Sequence, residues 1–260
     1  MQCKGSLNSV GSAGPPRSGK PEGIQAFPLE PRVQGRLVRI VMAEDASIRV
    51  ARYRRARTNE PVLRDKLLPK NHAFAARRPS VDSGYFKTFN RPNVELVDIS
   101  ETPIVSFTRG GLRTTDAERD FDIVIYATGF DAFTGSLLKP VITGRGGMTL
   151  QAKWAAGPVS YLGIAVNDFP NLFIIVGPGS PSLLSNVLLS SEEQVDWLAD
   201  LFAYCCENAV HAVEATAEAE RDWVAHVNER AQETLYLKTP SYYLGAEMPG
   251  KPRVFMPYSG

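Results

Sequence analysis

The chain has 260 residues, 43% of them hydrophobic, enough to enclose one large core or two modest ones. With 29 Lys plus Arg against 28 Asp plus Glu, the net charge of +1 argues against a polyanion-binding protein and against an acidic partner drawn in by bulk charge. The sequence shows neither a secretory apolar core nor a run of membrane-spanning length, so the cytoplasm is the expected compartment.

Residues 1–31 are rich in Gly, Ser and Pro and are expected to be disordered, loosely attached, or translated from non-native sequence. Residues 33–57 mix apolar side chains with RVARYRRAR. Because that charge is not sustained, an amphipathic helix with a solvated basic face fits better than a nucleic-acid arm. Pro61 stands near the start of a predicted helix that runs to Leu68, and Pro69 ends it.

From Asn93 the period changes. NVELVDI and TPIVSFT read as short strands, and Arg109-Gly110-Gly111 turns the chain into GLRTT as a hairpin arm. Residues 121–126 (FDIVIY) and 172–176 (LFIIV) read as buried strands of a main sheet. Both runs lead into glycines, which allow close approach of backbone or ligand, so the pair suggests a ligand at the carboxyl edge of that sheet.

Ser190 or Ser191 is predicted to cap the next helix, with Glu193 or Gln194 closing a capping box. Val195, Leu198, Ala199 and Phe202 would form its buried stripe. A last helix spans about Thr216 to Leu235, with Trp223, Val227 and Ala231 at core spacing. Cys3, Cys205 and Cys206 have no CxxC spacing and read as reduced thiols. His72, His211 and His226 are not spaced as metal ligands.

Several strings together resemble the flavin-dependent Baeyer–Villiger monooxygenases. They are RRPSVDSGYFKTFNRPNVELVDI (77–99), ATGFDAFTG (127–135), KWAAGPVSYLG (153–163), GPGSPSLLSN (177–186) and GAEMPGKPRVFMPY (245–258). The similarity is continuous from about Asp65 onward. The family's two GxGxxG fingerprints and its linker fingerprint do not occur in this sequence. The resemblance therefore implies an α/β fold: the C-terminal part of a two-dinucleotide-binding-domain flavoprotein, with a helical insert and a β-hairpin. The implied domains are an insert remnant at 32–76, a slice of the NADP-binding domain at 77–120, and the C-terminal part of the FAD-binding domain at 121–260.

The chemistry that the resemblance implies uses FAD, NADPH and oxygen to convert a ketone to an ester or lactone through a peroxyflavin. Negative charge develops on the peroxide and then on the ketone adduct. A guanidinium, charged at every working pH, suits the stabilising role. By the family motif Arg78 takes that role, and Arg77 stands where a basic residue meets the 2′-phosphate of NADPH. Ala127, Thr128 and Gly129 would lie against the phosphate and ribose side of the flavin. Ser180, Pro181, Ser182 and Leu183 would form the substrate wall, Val187 would touch the flavin, and Tyr242 replaces a tryptophan that contacts the nicotinamide.

Three forms of the protein remain open at this stage: a ketone-oxidising enzyme, a non-catalytic remnant, and one half of a split flavoprotein completed by a separate N-terminal chain. Flavin enzymes that oxidise amines or sulfides are a weaker alternative. No nucleic-acid or membrane partner is expected.

Overall fold

The structure, a computed structural model, describes residues 54, 56–68, 72, 76–78, 82–182, 185–246 and 248–259. The expected N-terminal segment, most of the basic helix at 33–57, and Leu183 lie outside the described residues.

Helix α1 (Pro61–Lys66) starts on proline, whose missing N–H costs nothing in the first helical turn. Arg64 folds back from it, with Nε donating to the Thr58 carbonyl at 2.5 Å and Nη2 to the Asn59 carbonyl at 2.9 Å. After the single turn α2 (Tyr85–Thr88), three short strands form an antiparallel sheet in the order β1 (Ile104–Phe107), β2 (Gly111–Thr114) and β3 (Glu118–Asp120). The predicted hairpin is present with one further strand. NVELVDI, by contrast, forms no strand.

Helix α3 (Leu150–Lys153) is capped by Thr149, whose Oγ1 accepts the Ala152 N–H at 3.2 Å. Leu150 and Trp154 from this turn pack with Val166, Phe169 and Ile174 into a first core. Helix α4 (Val187–Glu207) and helix α5 (Ala217–Gln232) follow. Val227 and Ala231 of α5 join Tyr236, Tyr243 and Phe255 in a second core, with Trp223 packed against it, as the helical spacing predicted. Among the described residues Cys205 and Cys206 form no disulfide. Among the described residues no helix is long and apolar enough to cross a membrane.

The two buried strands expected of a main sheet are not formed. Residues 121–130 carry no strand and are exposed on both faces, with Ile123, Ile125 and Phe130 at 78%, 84% and 92% exposure. The alternating backbone needs hydrogen-bonded neighbours on its edges, and no other described residue supplies them between 122 and 130. In the second run only the bridge between Ala165 and Phe173 forms, although Ile174 is buried. Among the described residues the sheet is the small antiparallel one at 104–120.

Helix α4 also differs from expectation. It starts at Val187, four residues upstream of Ser191, and its cap is Asn186, whose Oδ1 accepts the Leu188 N–H at 3.0 Å. Asparagine ranks with serine as a cap, so composition alone did not separate them. Of the predicted stripe only Leu198 is buried, while Val195 and Phe202 are exposed.

Helix α5 closes as its sequence dictates. Thr216 Oγ1 accepts the Ala219 N–H at 3.2 Å, and Glu218 and Glu220 place negative charge in the first turn, where the helix dipole favours it. Glu220 is buried. Its Oε2 accepts the Asn167 N–H at 2.8 Å, and its Oε1 pairs with Lys153 Nζ at 3.1 Å, which joins α5 to α3. Removing one partner of a buried pair strands the other, so Glu220→Ala should cost about 3 kcal/mol in urea unfolding. Glu220→Gln keeps an acceptor for Asn167 and should cost less; equal losses for the two variants would contradict this reading.

Candidate functional site

Arg77 and Arg78 follow Ala76, which is buried. Arg77 Nη2 donates to the Pro240 carbonyl at 3.2 Å, tying the arginine pair to the segment before Tyr242. Arg78 is exposed, and its charge reaches the second core. Burial pushes the Tyr236 and Tyr243 hydroxyls up from their ordinary value, while the Arg78 guanidinium pulls both back. The His72 imidazole is pushed down, first by burial and then by Arg77 and Arg54. The Tyr242 ring lies 4.2 Å from that of Tyr243, centroid to centroid. The structure thus brings the adjacent Arg77 and Arg78 to the segment that leads into Tyr242, more than 160 residues further along the chain.

Ala127, Thr128 and Gly129 sit in the exposed stretch that precedes a tight turn. Gly129 has φ +88° with open space where a Cβ would project, and the backbone amides of 127–129 make no hydrogen bond to other described residues. This is backbone that a phosphate or ribose can approach, so the residues present fit the cofactor contact expected of them. The turn beyond is anchored by Lys251, which pairs with Asp131 and donates to the Ala132 carbonyl at 2.8 Å.

The 177–182 loop is built very differently, with its polar backbone committed inward. Gly177 N donates to the Gly163 carbonyl at 3.0 Å, and Gly179 N to the Met256 carbonyl at 2.6 Å. Ser160 Oγ donates to the Pro178 carbonyl at 2.5 Å, and Trp223 Nε1 to the Gly179 carbonyl at 3.1 Å. Tyr258 N reaches the Pro181 carbonyl at 3.1 Å, and Ser182 pairs with Tyr258 as a parallel bridge. His226 Nε2 and the Tyr258 hydroxyl lie 2.9 Å apart, closing the aromatic side of the loop with Trp223. Pro181 is buried, and Ser180 and Ser182 are half-buried. Val187, the first residue of α4, is exposed.

These three groups converge on one segment, residues 251–258, which in the sequence stands out only as part of a motif. It holds the turn after Ala127-Thr128-Gly129 through Lys251, and the 177–182 loop through Met256 and Tyr258. Through the Met256 N–H on the Tyr243 carbonyl at 3.0 Å it also holds the aromatic cluster beside Arg78. Sequence alone does not reveal Trp223, Ser160 and Lys251 as site supports, because their partners are carbonyls or lie more than a hundred residues away.

No family model matches the chain. It is 40% identical over 202 residues to cyclohexanone 1,2-monooxygenase of an Acinetobacter species, and 42% identical over 200 residues to a Baeyer–Villiger monooxygenase of Pseudooceanicola batsensis. These alignments take in 77% and 76% of this chain and 36% of each relative. Among solved structures, an oxidised steroid monooxygenase bound to NADP is 46% identical with a TM-score of 0.76, over 84% of this chain and 42% of that one. An OTEMO complex with FAD and NADP is 35% identical with a TM-score of 0.79, over 85% and 42%. The chain is thus related to the Baeyer–Villiger monooxygenases, as its motifs indicated, and it spans well under half the length of the relatives it matches.

The glycine that lets the 177–182 loop seat itself is Gly163. Its φ is +68°, and an added Cβ would stand 2.0 Å from Ser180 Cβ and 2.7 Å from the Gly177 carbonyl. Gly163→Ala combines backbone strain with overpacking and should lose about 2–4 kcal/mol in urea unfolding. An alanine variant as stable as the parent would show that the loop is not seated on Gly163.

Proposed function

We propose that this relative of the Baeyer–Villiger monooxygenases serves FAD- and NADPH-dependent conversion of a ketone to an ester or lactone. One oxygen atom of O2 enters the bond between carbonyl and α-carbon, and the other leaves as water as NADPH is oxidised. The observation that carries the reading is the assembly of exposed Arg78, anchored Arg77 and half-buried Tyr242 around one aromatic cluster. Family membership alone does not require these residues to meet in this chain, so their proximity supports the reading. We read the chain as the C-terminal part of a two-dinucleotide-binding-domain flavoprotein, divided at about residues 76 and 120, and we retain the cytoplasm as its location.

In this reading Arg78 supplies a permanent cation where negative charge develops, and Arg77 meets the 2′-phosphate of NADPH. Tyr242 offers an aromatic face to the nicotinamide. Ala127, Thr128 and Gly129 contact the flavin from the exposed side, with Val187 at the helix start. Ser180, Pro181, Ser182 and Leu183 form the wall on which the ketone rests. The flavin, when bound, supplies the electrons and the activation of oxygen.

A second reading is favoured by one feature, the bare apolar stretch at 121–130. An extended segment with open edges is a template for pairing, so cofactor binding in this reading requires a second polypeptide that adds strands there. The two readings separate on one spectrum. FAD added to the purified chain should give a bound-flavin absorbance at one per chain under the first reading. Under the second, it should do so only when the remaining portion of a relative such as cyclohexanone monooxygenase is also present. No bound flavin in either mixture would overturn the proposal and favour a non-catalytic remnant. In whichever mixture turns over, Arg78→Ala should lower ester formation by about 10²–10³-fold while NADPH still reduces the flavin. Ester formation at the parent rate would remove Arg78 from its assigned role.

A further inference from the structure

Val176, at the entry to the 177–182 loop, has φ +54°. A β-branched side chain resists this left-handed conformation, which persists only where neighbouring groups over-determine it. Gln194 is one such group. Its Oε1 accepts the Val176 N–H at 2.7 Å, and its Nε2 donates to Ser180 Oγ at 2.5 Å. Helical side chains lean toward the N-terminus of their helix, which is how a residue inside α4 reaches the loop that precedes it. The amide orientation is chemically fixed, since a backbone N–H must meet the oxygen, leaving the nitrogen for the hydroxyl.

The division of labour around the turn is specific. Ser160, Trp223 and Met256 hold its middle at Pro178 and Gly179. Gln194 holds both ends, Val176 and Ser180, with one planar group. A glutamine in a capping box would have turned back on its own helix end; here the cap is Asn186, and the Gln194 side chain is engaged in the bridge to the loop. By accepting from Gln194, Ser180 also keeps its own hydroxyl proton available to donate.

We propose that Gln194 is the positioning residue of the 177–182 loop: its amide holds Val176 in the left-handed conformation and sets where Ser180 is presented. That this loop is a substrate wall rests on the function proposed above; the bridge itself does not.

The test is amide hydrogen exchange on the full chain without cofactor, read at Gly177, Gly179 and Ser180, whose N–H groups bond to partners other than Gln194. Gln194→Leu matches volume but can neither donate nor accept, and should speed exchange at these amides at least tenfold while leaving α5 unchanged. Gln194→Glu should restore slow exchange, because a carboxylate accepts both the Val176 N–H and the Ser180 hydroxyl proton. In a Val176→Gly background, where glycine takes the left-handed conformation freely, the effect of Gln194→Leu should fall below threefold. The inference is overturned by unchanged exchange in Gln194→Leu, by Gln194→Glu exchanging as fast as Gln194→Leu, or by an equal acceleration in the Val176→Gly background. No flavin or ketone enters the measurement, so its outcome is independent of whether the proposed function holds.

Discussion

The arrangement of the candidate site depends on the strap formed by residues 251–258. Phe255, Met256 and Pro257 are buried, so the strap's backbone amides and carbonyls must find partners within the protein. They find them in two of the segments that carry the predicted chemistry, Tyr243 next to Tyr242 and Gly179 and Pro181 in the 177–182 loop, while the Lys251 side chain reaches the third, the Asp131 turn beyond Gly129. A segment that must satisfy buried polar groups on several sides holds its neighbours in register, and here those neighbours lie up to 120 residues from it in sequence. The strap also brings Tyr258 against His226 and Trp223, so α5 is tied to the same loop.

Against this fixed part stands the stretch at 121–130, which carries comparable apolar character without burial. The difference lies in partners rather than in hydrophobicity. The 172–176 run packs Ile174 beside Val166 and Trp154, whereas Ile123, Ile125 and Phe130 are largely exposed, with Tyr126 making a ring contact to Phe107. Exposure on this scale is costly for apolar side chains, which is the feature that the second functional reading rests on. The proposed flavin contacts Ala127, Thr128 and Gly129 lie in that open stretch, while Ser180 and Ser182 of the proposed substrate wall lie in the strapped loop.

Much of this was legible in the sequence where local chemistry decides. Pro61 opening α1, the start of α5 near Thr216, and the Trp223, Val227 and Ala231 spacing all follow from rules that act within a few residues. The expected strand at 121–126 failed because a strand requires neighbours that no pattern within the run encodes. The α4 cap was misplaced because Asn186, Ser190 and Ser191 offer equivalent chemistry, and the choice among them follows from how the preceding loop is seated. The meeting of Arg77, Arg78 and Tyr242 was readable only through motif resemblance, since it spans more than 160 residues. Gln194 was visible as a residue but assigned to the helix end. Its partner Val176 adopts a conformation that nothing in its composition announces.

The most direct test of the strap's role is the hydrogen-exchange profile of the whole chain. If the strap fixes the site, the Gly179, Met256 and Tyr258 amides should exchange slowly and at a common rate, while those of residues 122–130 exchange as rapidly as an unstructured peptide. Strap and loop amides exchanging as fast as residues 122–130 would contradict the claim that residues 251–258 hold the site in place.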